Sequence, residues 1–80
     1  MKYVYILRSG SRQRRTYVGM TGDFERRLRE HKSDSSPYTS GGGPWSPVVV
    51  LKFEDDCRAE CFEEYLKSGS GRAFARRHLL

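Results

Sequence analysis

The run Lys2 to Arg8, KYVYILR, constrains the fold more than any other stretch of this chain. It is rich in β-branched and aromatic residues, which fit a pleated strand. Successive strand side chains point to opposite faces, so Tyr3, Tyr5 and Leu7 share one side while Val4 and Ile6 share the other. Both sets are apolar. A strand of this kind must be covered on both faces, which places it at the centre of a sheet. With 80 residues in all, there is room for one core. The expectation is a single domain over residues 1–80 whose other elements exist to cover this strand.

Those elements can be read in order. Ser9 to Arg15 is polar and basic, with Gly10 to turn the chain, and Thr16 to Met20 is a second strand, so the first two strands form an antiparallel hairpin. Asp23 is suited to cap a first helix, which runs to about Lys32 with Phe24, Leu28 and His31 inward and Arg27 at the margin. Glu25, Arg26, Arg29 and Glu30 read as a solvated face. Ser33 to Pro47 holds three prolines and three glycines and reads as a loop, in which Tyr38 and Trp45 either pin the segment to the core or stack on a base. Pinning is favoured, because a small core needs its aromatics. Val48 to Phe53 is a third strand, and Asp55 and Asp56 supply cap chemistry for a helix over about Arg58 to Ser68. Gly69 suits the position after that helix, and Arg72 to His78 forms a last basic helix. The order β-β-α-β-α-α predicts an α/β domain of α+β type, a three-stranded mainly antiparallel sheet flanked by helices.

Composition narrows the partners. The net charge is +5 with a pI near 9.6, carried mainly by Arg, whose planar fork matches phosphate. Nucleic acid is therefore the first expectation, against the plainer alternative of a solvated basic surface. The longest apolar run, Val48 to Leu51, is too short to span a bilayer, and the N-terminus shows no signal-peptide pattern, so a cytoplasmic protein is expected. Cys57 and Cys61 are four apart on a helix, a spacing unlike the common zinc patterns, and they are expected to be free thiols.

A candidate site gathers at the turn between the second strand and the first helix. Tyr17 lies at one end of the strand, and Arg27 and His31 project from one helical face four residues apart. A guanidinium can hold phosphate oxygens while a phenol or imidazole moves a proton. Tyr5, on the neighbouring strand, can face Tyr17. Each of these residues also has a purely structural reading as a packed side chain. Glu63 is the anomaly: it lies on the inward stripe of its helix with Ala59, Phe62 and Leu66, whereas Glu64 points toward water. A carboxylate there must be paired, for instance with Arg27, or must bind a cation. One carboxylate, substrate phosphate and several waters are an ordinary Mg²⁺ environment. Arg72, Arg76 and Arg77 either contact phosphate or form a solvated terminal helix.

Taken together these residues resemble the GIY-YIG endonucleases. Tyr3-Val4-Tyr5 is similar to the first signature of that family and Tyr17-Val18-Gly19 to the second. Arg27 to His31 resembles its arginine-to-histidine helix, and Ala59 to Lys67 (AECFEEYLK) the segment bearing its metal-binding glutamate, which assigns that role to Glu63. The loop from Tyr38-Thr39 to Pro44-Trp45 resembles small single-domain members. The resemblance covers nearly the whole chain and implies single-metal hydrolysis of DNA phosphodiesters with Mg²⁺ or Mn²⁺. It implies that Tyr17 is the general base or water-positioning phenol, that Tyr5 assists or orients, and that Arg27 stabilises the pentacovalent phosphate. His31 would hydrogen-bond a tyrosine or water, and Glu63 would hold the ion. Two features depart from the pattern. Tyr3 replaces the glycine of the first signature, and the absence of Asn from the chain argues against a restriction-type mode of cleavage.

The expected activity is thus a structure-selective or weakly specific DNA endonuclease, with a role in DNA repair or recombination and specificity drawn from DNA structure or a partner subunit. The alternatives are a non-catalytic nucleic-acid-binding module of the same fold, a subunit active only with a partner, and an interaction domain whose basic face meets an acidic protein.

Overall fold

The structure, a computed structural model, describes residues 1–10, 15–32 and 44–80. Three antiparallel strands, β1 (Lys2–Ser9), β2 (Thr16–Thr21) and β3 (Trp45–Phe53), form one sheet in the order β2-β1-β3. The doubly apolar run is indeed the central strand. Helix α1 (Phe24–Lys32) follows β2, and α2 (Asp56–Lys67) and α3 (Gly69–His78) follow β3. This is the expected β-β-α-β-α-α arrangement.

Alternation along β1 divides the interior in two. Val4 and Ile6 pack with Ala59 and Leu66 of α2 and Ala75 of α3, a cluster without a polar side chain. Tyr5 and Leu7 face the other way, where Trp45 is buried with them and Tyr17, Phe24 and Leu28 close over them. Trp45 therefore does pin its segment to the core. Tyr38 lies outside the described residues, as do residues 33–43 of the expected loop and 11–14 of the hairpin connection. The hairpin is closed next to that connection by the Ser9 N–H, which donates to the Arg15 carbonyl at 2.7 Å.

Three elements begin two or three residues earlier than in the sequence reading, each for a local reason. Strand β3 begins at Trp45 instead of Val48, although Pro47 lies within it. Pro47 is tolerated because β3 is an edge strand and the register shifts there: Ile6 pairs with Val49 but Leu7 pairs with Pro47. Gly10, read as a turn residue, extends the contact between these strands by donating its N–H to the Pro44 carbonyl at 2.7 Å.

The last helix begins at Gly69, not Arg72, so the glycine that follows the C-cap of α2, as expected, also opens α3. Ser68 separates α2 from α3 alone. Its N–H and hydroxyl both donate to the Tyr65 carbonyl, at 3.0 and 2.6 Å, and its hydroxyl accepts from the Gly71 N–H at 3.1 Å. One serine thus ends one helix and caps the next. Gly71 permits the tight junction, since a Cβ there would sit 1.6 Å from the Tyr65 carbonyl oxygen. Low intrinsic helix propensity at Gly-Ser-Gly is overridden by this cap and close approach. Helix α2 starts at Asp56, with Asp55 Oδ1 accepting from the N–H of Cys57 at 2.8 Å.

A candidate phosphodiester-hydrolysing site

The site grows from the Tyr5 face of the sheet. In the β1–β2 register Leu7 lies opposite Tyr17 and Tyr5 opposite Gly19, so the two tyrosines are diagonal neighbours on one face. Their rings are 6.3 Å apart. Gly19 makes this possible. A Cβ at that position would lie 2.5 Å from the Tyr5 hydroxyl and 2.8 Å from Tyr17 Cε1, a collision with both rings. The glycine of the Tyr17-Val18-Gly19 signature is thus the floor on which both phenols rest.

The strand-to-helix turn then aims α1 across them. The Asp23 N–H donates to Thr21 Oγ1 at 3.1 Å, and Asp23 Oδ1 accepts from the Arg26 N–H at 3.1 Å, which fixes the first turn of the helix as expected for a cap. From there the helical period carries Phe24, Leu28 and His31 inward. Phe24 meets Tyr5 edge-on at 5.4 Å, and the His31 ring lies 5.8 Å from Tyr5 and 5.0 Å from Tyr17. The Tyr5 hydroxyl and His31 Nε2 are 3.0 Å apart in a buried hydrogen bond.

Arg27 lies one turn before His31. Its guanidinium donates to Glu30 Oε1 at 2.8 Å and also engages the hydroxyls of Tyr5 and Tyr17. Glu30 is also 3.7 Å from Arg26 Nε. Glu30 is therefore part of the constellation and not merely a solvated residue. The i,i+3 spacing of Arg27 and Glu30 was the available sequence signal.

The electrostatics follow from burial and from Arg27. Burial pushes the Tyr5 phenol up to about 12, with Tyr17 adding to the rise and the Arg27 hydrogen bond opposing it. His31 is held below its ordinary value by burial and then by the Arg27 charge. Glu30 is lowered and Arg27 raised by their mutual hydrogen bond. At neutral pH, Tyr5 is a protonated phenol and His31 an uncharged imidazole. The two phenols also differ in access. Tyr5 is 1% exposed, whereas Tyr17 is half-buried and lines an open hollow of about 420 Å³ with Thr16, Val18, Leu66, Lys67 and Arg72.

Glu63 stands on α2, a turn before the Leu66 and Lys67 that wall this hollow. Its side chain is 19% exposed, as its inward position predicted, while Glu64 is exposed. Its ion pair is with Lys67 on its own helix at 3.4 Å, not with Arg27, whose acidic neighbour is Glu30. The structure thus brings Tyr5, Tyr17, Arg27 and His31 together, whereas Glu63 meets Lys67 on α2. No group of three or more His, Cys, Asp or Glu suited to a metal occurs among the described residues. The donor set still fits a hard cation: one half-buried carboxylate, already drawing a positive partner, suits an ion that keeps most of its waters and shares substrate oxygens. Arg72 and Arg76 face the hollows beside β2, and Arg77 is exposed outside their walls. Cys57 and Cys61 are free and exposed. No helix among the described residues is long and apolar enough to cross a membrane.

Comparison with known proteins agrees with this geometry. The family model of the GIY-YIG catalytic domain matches residues 1–77. A protein named structure-specific endonuclease subunit SLX1 from Candida dubliniensis is 39% identical over 83 residues, 95% of this chain and 28% of that protein. A UPF0213 protein of Clostridium perfringens is 35% identical over 84% of this chain and 71% of its own length. The SLX1 subunit of Malassezia globosa is 43% identical over 74% of this chain and 14% of its length, so the chain spans less than a third of either SLX1 relative. Among solved structures, the solution NMR structure of the UPF0213 protein BH0048 from Bacillus halodurans superposes with a TM-score of 0.59 at 33% identity, covering 95% of this chain and 81% of that one.

Proposed function

The chain belongs to the GIY-YIG family, and from that membership we propose that it is a divalent-metal-dependent endonuclease acting on DNA, selective for DNA structure more than for sequence. The observation that carries the proposal is the position of Arg27. It engages one sealed phenol and one open phenol beside an uncharged imidazole, and it lines an open hollow of about 480 Å³ with Arg26, Glu30 and the Thr21-Gly22-Asp23 turn. A phosphodiester entering that hollow meets a guanidinium fork able to hold its non-bridging oxygens.

The roles follow from access and protonation. Tyr17 lines the open hollow beside β2, so it either orients the attacking water as a phenol or, as the phenolate, accepts its proton. Tyr5 is sealed and keeps its proton; by hydrogen bonding to His31 Nε2 it holds the imidazole in place, and through Arg27 it is tied to the phosphate site. His31, kept neutral, presents a polar edge to the phenols without adding a second positive charge beside Arg27. Arg27 stabilises the charge that builds on the phosphate in the transition state. Glu63 would hold a Mg²⁺ or Mn²⁺ ion, and the chemistry gained there is charge neutralisation at the phosphate. To do so it must exchange its contact with Lys67 for the ion.

The SLX1 relatives are named as endonuclease subunits, which favours a second form of the proposal: the domain works in DNA repair or recombination with a partner that supplies specificity. The test is cleavage of branched, flapped, single-stranded and duplex DNA with Mg²⁺ or Mn²⁺, with Tyr17→Phe and Glu63→Ala in parallel. Nicking near junctions that both variants abolish is expected. Intact substrates across all ions would overturn the reading for the isolated chain.

A further inference from the structure

The hollow lined by Arg27 is built at the turn between β2 and α1, with Thr21, Gly22 and Asp23 on one side and Arg26, Arg27 and Glu30 on the other. Its rim is open at Gly22, where a Cβ would meet no atom within 4 Å. Its charges cancel: Arg26 and Arg27 are positive, Asp23 and Glu30 negative. Asp23 is turned to its own helix, where Oδ1 accepts from the backbone N–H of Arg26. Glu30 is placed differently. It follows Arg26 by four residues and Arg27 by three, so its carboxylate falls between the two guanidiniums. Oε1 is 2.8 Å from Arg27 Nη1, and Oε2 is 3.7 Å from Arg26 Nε. The two contacts are unequal. The pair with Arg27 is short and part-buried, whereas Arg26 is 72% exposed and held at the longer distance.

A carboxylate held between two guanidiniums marks the place of an anion, and phosphate is the anion that two such forks match best. An exposed, long ion pair exchanges readily for a phosphate, and a short part-buried one does not. We propose that Arg26 is a second phosphate-binding residue, taking the phosphate next to the scissile one, and that Glu30 governs both arginines. In the resting protein the carboxylate neutralises Arg26. A strand entering the hollow draws Arg26 onto its backbone, while Glu30 stays on Arg27 and keeps that guanidinium over the phenols. Glu30 is thus a positioning residue for Arg27 and a competitor of the substrate for Arg26. The inference rests on the nuclease reading and deepens it, since it adds a binding residue to the same cleft and gives one carboxylate opposite effects on binding and on turnover.

That opposition is what the experiment reads. Affinity for a labelled flapped DNA is measured by fluorescence anisotropy in chelator, where nothing is cleaved, and turnover is measured with Mg²⁺ or Mn²⁺ at saturating DNA. Glu30→Gln, which keeps the shape and removes the charge, is expected to bind about three- to fivefold more tightly and to turn over several-fold more slowly. Arg26→Ala is expected to bind about five- to tenfold more weakly and to reduce the salt slope by roughly 0.7–0.9, as one lost phosphate contact requires. In the double variant Arg26→Ala/Glu30→Gln the gain in affinity should vanish, because the guanidinium it released is gone. Glu25→Gln and Arg58→Ala make the same charge changes at exposed positions outside the hollow, and their affinities should stay within about twofold of the parent. Glu30→Gln binding no more tightly than the parent, a gain that persists in the double variant, or either control matching its counterpart overturns the inference. Faster turnover in Glu30→Gln overturns it as well, since Glu30 would then obstruct Arg27 instead of positioning it. A parent that cleaves nothing in any metal overturns the nuclease reading, and the affinities still decide the role of Arg26.

Discussion

The two faces of β1 are built from one run of seven residues, yet they do different work. On the Val4 and Ile6 face every buried partner is aliphatic, and the cluster is completed by partly buried aromatics such as Phe53 and Phe62. On the Tyr5 and Leu7 face the interior holds a phenol and an imidazole joined by a hydrogen bond, with a guanidinium at the rim. The first face can be described by area removed from water. The second cannot, because its buried polar groups cost free energy unless each is paired. The chain tolerates such a face because the other one supplies an unfrustrated core. The two meet at the edge of β2, where Tyr17 from one layer and Lys67 and Arg72 from the other share a hollow.

If that division is real, substitutions on the two faces should fail differently. Arg27→Ala should have the largest effect on activity, a loss of about 10³-fold or more in cleavage rate, while its urea midpoint stays near that of the parent. A variant that unfolds instead would show that the polar face is also a stability element. Leu66→Ala should do the reverse. It should lose about 2–5 kcal/mol of stability in urea titration, with any cleavage loss traceable to unfolded protein at the assay temperature.

The pH dependence of stability sharpens the same contrast, because the polar face should dominate it. The Tyr5 phenol is raised on folding, so its contribution is complete below pH 10 and is lost as pH rises toward about 12. The loss should be on the order of 2–3 kcal/mol, and Tyr5→Phe should flatten it. His31 is lowered on folding, so its contribution is complete above its ordinary value near 6.5 and shrinks as pH falls below it, toward its folded pKa. An alkaline arm unchanged in Tyr5→Phe would place the titration elsewhere. The smallest effect expected is that of Glu30→Gln. Removing the charge that steadies Arg27 should lower cleavage several-fold and leave the urea midpoint close to that of the parent, as a part-buried i,i+3 pair allows.

Much of this arrangement is legible in the residues themselves. Apolar residues on both sides of Lys2 to Arg8 require a central strand, because neither side can face water. The 3.6-residue period sets Phe24, Leu28 and His31 on one face of α1, and the same period separates half-buried Glu63 from exposed Glu64. The family signatures follow from local chemistry too, since Gly19 stands where any side chain would strike both phenols. What misled was local chemistry overruled by packing. Pro47 reads as loop but sits at an edge-strand bulge, and Gly69 to Gly71 reads as a break but begins a helix capped by Ser68. Glu30 reads as solvated because sequence shows its helix position and not the guanidinium that turns toward it.

The sequence by itself determined which residues are buried and on which side, since alternation and helical period are properties of a single element. Only the tertiary structure decided the pairings: Arg27 with Glu30 and both phenols, Glu63 with Lys67, and Tyr17 with the basic flank of α3. These depend on the distance and angle between elements, and those are set by how the two layers close around β1. A one-dimensional pattern records the face a side chain takes, and the partner it finds there is a matter of packing.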